Sequence, residues 1–494
     1  MRKFNYNHIG IVLVAMLFSL TACEKFLDLE PPFSQDAENY FTEPSHYELA
    51  LIGAYDLLQG SFMNIWIGEI ASDNSIAGGE SVTDSQGLHE IEAMTHGAVN
   101  RELRSIFQWN YTGISRANFI MENKNNIDFE GKTQILAETS FLRAYYYFQL
   151  VKYFGDVPLV VDERLGVDEV TELKRSSVQD VYAQIEVDLN FAVANMDAVN
   201  PINGRADKWA ARALLGKVQL YQKKFAESAA TLDEVITTGP FGLIDYRNLF
   251  SVNNEGHIET VFAVKYSGQQ GGDYGCLICL EGNAAPGFHG IRQYNGPIYG
   301  DGNSYNLPTL DLYASFEAAD NIRRDATVLN LDSFISQQSN PGNITYAIGA
   351  GGHTGLYNNK YIKKNEIYYD LQNDNDLTSP DDYIVIRYAD VLLMAAEAHN
   401  RSNNDGQALL YLNQVRSRVN LPSVNAGGQA LTEAIWLERR YELSGEGHRF
   451  FDLVRTGKAA SEINGFQQGK HELFAIPQIE ISLAGGSWNQ NPGY

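Results

Sequence analysis

Asp207-Lys-Trp-Ala-Ala-Arg-Ala-Leu-Leu-Gly-Lys-Val-Gln-Leu-Tyr221, a polar break at Gln222-Lys-Lys224, and Phe225-Ala-Glu-Ser-Ala-Ala-Thr-Leu-Asp-Glu-Val-Ile236 leading to Gly239-Pro240 read as two amphipathic helices joined by a tight turn. Apolar residues recur three and four apart on both sides of the break, which is the spacing of one helix face. Ala213 and Gly216 are small enough to let the two helices approach closely. Gly239-Pro240 ends the second helix, because proline cannot continue it.

Leu-Gly followed by Tyr, then Ala and Phe, matches a tetratricopeptide-type hairpin, and the stretch has the length of about one such repeat. Comparable helical patterns lie at Tyr47 to Leu58, Ile114 to Asn123, Thr133 to Phe154, Val178 to Met196, Tyr388 to Asn400 and Ala408 to Val419. Each is apolar on one face only, so stacking in pairs into a solenoid buries what a single hairpin cannot. The expected fold is mostly α. The region from Ile258 to Tyr383 differs: it is rich in Gly, Asn, Pro and Tyr, with short β-like runs such as Glu259-Thr-Val-Phe-Ala-Val-Lys265. Irregular segments on a rigid scaffold are where binding residues tend to sit. No Pro/Ser-rich linker divides the chain, so residues 23–494 are expected to form one large domain.

The amino terminus reads as an address. Arg2 and Lys3 precede an apolar run from Ile9 to Leu20, and Leu20-Thr-Ala-Cys23 follows. A charged start, an apolar stretch of about a dozen residues and small residues at the cut site describe a secretory signal, too short for a membrane span. Leu-Thr-Ala-Cys is similar to the lipobox of bacterial lipoproteins, which implies that residues 1–22 are removed and that Cys23 carries lipid. Several acyl chains on that residue would hold the protein at a bilayer surface.

Removing Arg2 and Lys3 takes the formal charge from −24 to −26, which repels phosphate backbones and argues against nucleic acid as a partner. Tyr and Phe number 28 and 24, more than a core alone needs, so some rings are expected at the surface. Aromatic faces beside carboxylates and amides suit neutral polyhydroxylated ligands. Cys276 and Cys279 stand in a Gly-rich stretch without a second pair or nearby histidines. A local disulfide or two inert thiols is the reading there, ahead of a metal or redox site.

Five further blocks decide the family resemblance. They are Leu142-Arg-Ala-Tyr-Tyr-Tyr-Phe-Gln-Leu-Val-Lys-Tyr-Phe-Gly-Asp-Val-Pro-Leu159, Ala206 to Lys217, Ile386-Arg-Tyr-Ala-Asp-Val-Leu-Leu-Met-Ala-Ala-Glu-Ala398, Leu412-Asn-Gln-Val-Arg-Ser-Arg418 and Glu438 to Arg455; Pro477 and the ending Gln490-Asn-Pro-Gly-Tyr494 accompany them. With these blocks in order the chain resembles the SusD/RagB family of nutrient-capturing outer-membrane lipoproteins, with an N-terminal part at about 23–230 and a C-terminal part at about 258–494. The resemblance implies a non-catalytic protein anchored through Cys23 to the outer membrane. It also implies a place over a SusC-like TonB-dependent transporter, to which oligosaccharides, or in some members peptides, are delivered. Glu24, Lys25 and Asp28 after the lipidated position loosely resemble the export context of surface lipoproteins, which implies an outward-facing protein.

Two loop-like segments combine rings with amides and acids: Met63-Asn-Ile-Trp66 through Asp73-Asn74 to Gly79, and Gln269 through Asp273-Tyr274, Arg292, Tyr294 and Tyr299 to Tyr305. The expected glycan surface is a shallow arc of Trp66 with one or more of Tyr274, Tyr294, Tyr299 and Tyr305, with Asp73, Asn74 and Arg292 bonding hydroxyls. Internal packing of Trp66, Asp73 and Asn74 is the competing reading, and Trp109, Trp209 and Trp436 read as core. Glu446, His448 and Asp452 offer ligand-type side chains, but Glu438 to Arg455 alternates acids and arginines as paired charges between helices do. Asp390 and Glu397 beside Arg387 read the same way. No nucleophile elbow, zinc-binding His-Glu-x-x-His or phosphate loop occurs, and Gly349-Ala-Gly-Gly-His-Thr-Gly355 lacks the dinucleotide spacing. No cofactor is expected, and structural calcium stays unassigned because the loop Asp and Asn residues show no ordered ligand spacing. Against glycan capture stand a peptide ligand, a role confined to docking the transporter, and a surface glycoside hydrolase.

Overall fold

The computed structural model describes residues 40–165, 167–200, 202–268, 274, 280–365 and 376–494. The leader, Cys23, Cys276 and Cys279 lie outside these residues. In chain order the principal helices are α1 (Pro44–Asp56), α2 (Met63–Ile70), α3 (Gln86–Glu92), α4 (Arg101–Glu122), α5 (Lys132–Phe154), α6 (Val178–Asn195), α7 (Lys208–Tyr221), α8 (Phe225–Thr238), α9 (Ala285–His289), α10 (Tyr388–Arg401), α11 (Asp405–Arg418), α12 (Gly428–Leu443) and α13 (Arg449–Thr456). The fold is mostly α, as the spacing predicts.

The α7–α8 hairpin forms where expected. Asp207 caps α7, its carboxylate accepting the N–H groups of Trp209 and Ala210 at 2.9 Å each. A Cβ on Gly216 would fall 2.4 Å from the Leu232 side chain of α8, so a larger residue there would push that side chain aside. Each helix from α4 to α8 packs on the next, and α8 then packs on α10. The chain therefore leaves the stack after Thr238, builds the irregular region, and re-enters the stack at Tyr388. One continuous apolar core runs from Phe41 to Ile481 through these helices.

Two local readings are corrected. Helix α4 starts at Arg101 rather than near Ile114, capped by Asn100. Asn110 and Gly113 lie inside this helix: Asn110 donates to the Ile106 carbonyl at 2.7 Å and Gly113 lies against the Tyr146 ring, where a Cβ would sit 2.4 Å away. Likewise Met63–Ile70 is a helix and not a loop. Gly68 there meets the Gly447 backbone, with a Cβ 2.0 Å from its carbonyl oxygen, so this glycine is a close-packing point.

The strands are short. β1 (Ser75–Ala77) pairs antiparallel with β3 (Asn306–Pro308), and β2 (Thr260–Val264) with β4 (Tyr383–Arg387), which leads directly into α10. The first of these pairs places the site.

Candidate glycan-binding site

The register Ser75↔Pro308, Ile76↔Leu307, Ala77↔Asn306 brings together the two segments singled out from the sequence. Beyond the paired strands, Gly79 N–H donates to the Ser304 carbonyl at 3.0 Å, and Gly78 N–H to that of Tyr305 at 3.3 Å. A ladder of rings rises there from core to surface. Trp66 on α2 packs 4.7 Å from Phe288 on α9, Phe288 lies 5.6 Å from Tyr305, and Tyr274 stands 6.3 Å from Phe288. Trp66 is 3% exposed and Phe288 2%, whereas Tyr274 is 47% exposed. Tyr305, half-buried, flanks Phe288 and meets the edge of Trp66 at 6.4 Å.

Polar groups rim the ladder. The Tyr305 hydroxyl donates to Asp84 Oδ1 at 3.3 Å, and Asp84 Oδ2 accepts the Glu80 N–H at 2.9 Å. Arg292 pairs with Glu80 at 3.0 Å. Burial, then the Asp84 charge, holds the Tyr305 phenol above its ordinary pKa, so this hydroxyl stays a donor across the physiological range. The Gly349–Gly352 run lies along this rim: Ala350 N–H donates to the Glu80 carbonyl at 2.8 Å, and Ala347 N–H to that of Arg292 at 2.9 Å. A Cβ on Gly349 would fall 1.9 Å from the Gly79 carbonyl oxygen, and one on Gly351 2.3 Å from that of Gly78. The glycines that fail as a dinucleotide motif thus let one loop lie on another.

The structure brings Trp66, Tyr274, Tyr305 and Arg292 into one region, but it removes other expected members from the surface. Trp66 presents no ring face to solvent, being covered by Phe62, Phe288 and Tyr305, and acts as the floor. Asp73 is clamped by Arg449 Nε at 2.7 Å and Nη2 at 2.8 Å, with Arg440 at 3.0 Å. Burial raises the Asp73 pKa, but these arginines more than reverse it, and the carboxyl is held below its ordinary value. Asn74 is fully buried, donating to Glu69 and accepting from Arg440. Tyr294 and Tyr299 sit in a separate small core with Leu307, Leu329 and Tyr357, so neither joins the arc. Phe288, Glu80 and Asp84 were not anticipated. Ala285-Pro-Gly-Phe-His289 has no periodicity to mark its ring, and Glu80 follows two glycines in an ordinary turn.

The charged junction is structural, as its alternation suggests. Arg387, 1% exposed, reaches Glu259 at 3.0 Å, Glu442 at 2.5 Å and Glu446 at 2.8 Å. Glu446 also accepts from Lys360 at 2.6 Å. Asp390 pairs with Lys217 and Arg439 and Glu397 with Arg455, so neither uses Arg387. Burial opposes ionisation of Glu442, yet Arg418, Arg387 and Arg323 overcome it and hold that carboxyl well below its usual range. Trp109 and Trp209 are core, but Trp436 is half-exposed, with the Lys458 ammonium 5.8 Å from its ring centroid. Among the described residues, no group of three or more His, Cys, Asp or Glu is placed to hold a metal ion.

Comparison with known proteins gives the same assignment over nearly the whole chain. A solved structure called a laminarin binding SusD-like protein is 33% identical, covers 91% of this chain and 99% of its own, and superposes with a TM-score of 0.83. The chain belongs to the SusD-like family. Residues 336–494 match the model described as the SusD family, and residues 25–220 the one described as starch-binding associating with outer membrane. SusD-like protein P25 of Formosa agariphila is 26% identical over 90% of this chain and 89% of its own. Surface glycan-binding protein A from Bacteroides fluxus is 26% identical, with a TM-score of 0.80 over 92% of this chain and 100% of its own. No helix among the described residues of this SusD-like protein is long and apolar enough to cross a membrane.

Proposed function

We propose that this SusD-like protein is a non-catalytic glycan-binding lipoprotein, anchored through Cys23 to the outer membrane and facing the exterior. It captures oligosaccharide or polysaccharide and passes it to a SusC-like TonB-dependent transporter, an activity that needs no cofactor. One observation carries the reading: exposed Tyr274 stands over the Phe288–Tyr305 ladder, beside the charged pair Arg292–Glu80. Ring faces there accept the C–H face of a sugar, and the rim offers donors and acceptors to its hydroxyls.

The laminarin-binding relative makes that β-glucan the first ligand to try. Wild type and Tyr274→Ala are run through native gels containing laminarin, starch or no polysaccharide. Laminarin should retard the wild type, and loss of one stacking ring, about 1 kcal/mol, should weaken retention about fivefold. Retention that is identical for the two proteins in every retarding gel would remove Tyr274 from the site. Co-purification with the barrel and no glycan retention at all would leave only a docking role, whereas release of reducing ends would make the protein a hydrolase.

A further inference from the structure

The rim of the ring ladder carries more negative charge than positive. Gly79 turns there with φ 90° and comes so close to Tyr305 that a Cβ would fall 3.0 Å from its ring, which sets the next residue, Glu80, beside the ladder. Asp84 joins both, since it accepts the Tyr305 hydroxyl at 3.3 Å and the Glu80 N–H at 2.9 Å. Glu92 adds a third carboxylate at β1, where it accepts the Ala77 N–H at 3.0 Å. His89 stands next to it, with Nε2 donating to the Gly78 carbonyl at 2.9 Å and Nδ1 4.0 Å from Glu92. Arg292 supplies a guanidinium to this group, and Glu80 occupies it at 3.0 Å.

Both members of that pair have fixed backbones. The Arg292 N–H donates to the Ser304 hydroxyl at 3.1 Å and its carbonyl accepts from Ala347 at 2.9 Å. Glu80 is held by Asp84 at its N–H and by Ala350, 2.8 Å away, at its carbonyl. The ion pair therefore stands ready-made before a ligand arrives. A carboxylate on a sugar must displace Glu80, which stays tethered at high local concentration, and must then lie near Asp84. A neutral sugar needs no exchange. The Glu80 side chain is 70% exposed against 16% for Arg292, so its outer lone pairs can accept a sugar hydroxyl while the pair stays closed.

We propose that the Glu80–Arg292 pair, with Asp84 beside it, is a charge filter that admits neutral glycans to the ring ladder and turns away acidic ones. The filter rests on the glycan-binding reading of the ladder and narrows it to a class of polymer. Glu80 is the residue that sets the specificity, because it covers the guanidinium that an acidic sugar would use. Removing its charge uncovers Arg292 and takes away one of the repelling carboxylates in the same step.

Native gels containing laminarin, carboxymethyl-laminarin or hydroxyethyl-laminarin test it, the last two lightly and equally substituted so that charge distinguishes them. The hydroxyethyl polymer should retain the wild type at least about fivefold better than the carboxymethyl polymer does, the effect of one close pair of like charges in water. Glu80→Gln should move that ratio about fivefold toward the carboxymethyl polymer, and added salt should erase the shift. The double variant Glu80→Gln, Arg292→Gln should lose the gain. Asp128→Asn removes the same charge from a fully exposed carboxylate on Lys132, outside the site, and should leave the ratio where it was. A shift in Asp128→Asn equal to that in Glu80→Gln would assign the effect to overall charge and overturn the filter. Equal retention of the wild type by the two substituted polymers, or an unmoved ratio in Glu80→Gln, overturns the filter and leaves the glycan site standing. No retention of either protein by any of the three polymers would sink the glycan site and the filter with it.

Discussion

Trp66 and Tyr274 were equal candidates as residues in a sequence, and the fold gives them opposite tasks. The Trp66 indole is enclosed between Phe62 and Phe288, so Trp66→Ala leaves a cavity under the ring ladder. Such a truncation costs roughly 3–5 kcal/mol, to be read as a lower urea midpoint. Tyr274→Ala removes an exposed ring and should move the urea midpoint by less than about 0.5 kcal/mol while weakening glycan retention. Observing the reverse, a stable Trp66→Ala that binds poorly and a destabilised Tyr274→Ala, would exchange the two assignments. Nothing local separates these residues. Trp66 is buried by Phe288, which the chain supplies more than two hundred residues later from the irregular excursion, and Asp73 is neutralised by Arg440 and Arg449, which come later still. Arg387 and Glu446 were legible as pairing groups because acids and bases crowd one short block, although which acid meets which base was not.

Among elements, helices were readable wherever one apolar face repeats for three turns or more, as in α5, α6, α7 and α8. The helix start at Arg101 and the helix Met63–Ile70 escape the pattern because tertiary packing uses a glycine in each. Gly113 admits the Tyr146 ring and Gly68 the Gly447 backbone, and neither neighbour is visible from adjacent sequence. The glycine-rich run at 349–352 shows no task in its own sequence for the same reason. Its close contact is with backbone carbonyls of residues 77–79, which cannot retreat as a flexible side chain can, so Gly349→Ala must lift the loop off the rim. Because Ala350 and Ala347 hold Glu80 and Arg292 through their carbonyls, lifting the loop should loosen that ion pair. The expected result is glycan retention weakened severalfold with a melting temperature within a few degrees of wild type, the loss being confined to an exposed loop. Unchanged retention would show that the rim does not depend on the loop. A matching change at Gly216→Val acts on a helix pair instead, and overpacking against Leu232 should cost about 1–3 kcal/mol of stability without touching binding.

For the whole molecule, the decisive event is the return of a long irregular excursion onto a helical stack, and three-residue strand pairs such as β1 with β3 carry too little pattern to be read in advance. That closure includes His289, fully buried in α9 directly below the ring ladder. Its Nδ1 is 3.1 Å from the Tyr361 carbonyl, and its Nε2 3.4 Å from the Asn306 amide nitrogen, a pairing that suits the neutral ring with hydrogen on Nδ1 only. Burial depresses the His289 pKa from 6.5 to about 3, and burial followed by the charges of His471 and Lys470 does the same for His96. A histidine depressed in the folded state is protonated first in the unfolded chain, so its contribution is complete above about pH 6.5 and is lost as pH falls toward about 3. Asp207 works the other way: burial raises its carboxyl to about 6, so it favours folding as pH falls below that value. His448, depressed to about 3 chiefly by burial, joins the histidines, and Glu255, raised to about 7 by burial and the Asp382 charge, joins Asp207; three histidines against two carboxyls leave a net loss of stability on acidification, with each histidine supplying about 1.4 kcal/mol per pH unit below 6.5. Urea midpoints measured from pH 7 to 5 should therefore decline, and His289→Gln, whatever its starting stability, should decline less steeply by about that amount per unit. Parallel slopes for the two proteins would mean that His289 is not held neutral, and the packing assigned to it beside Phe288 would be wrong.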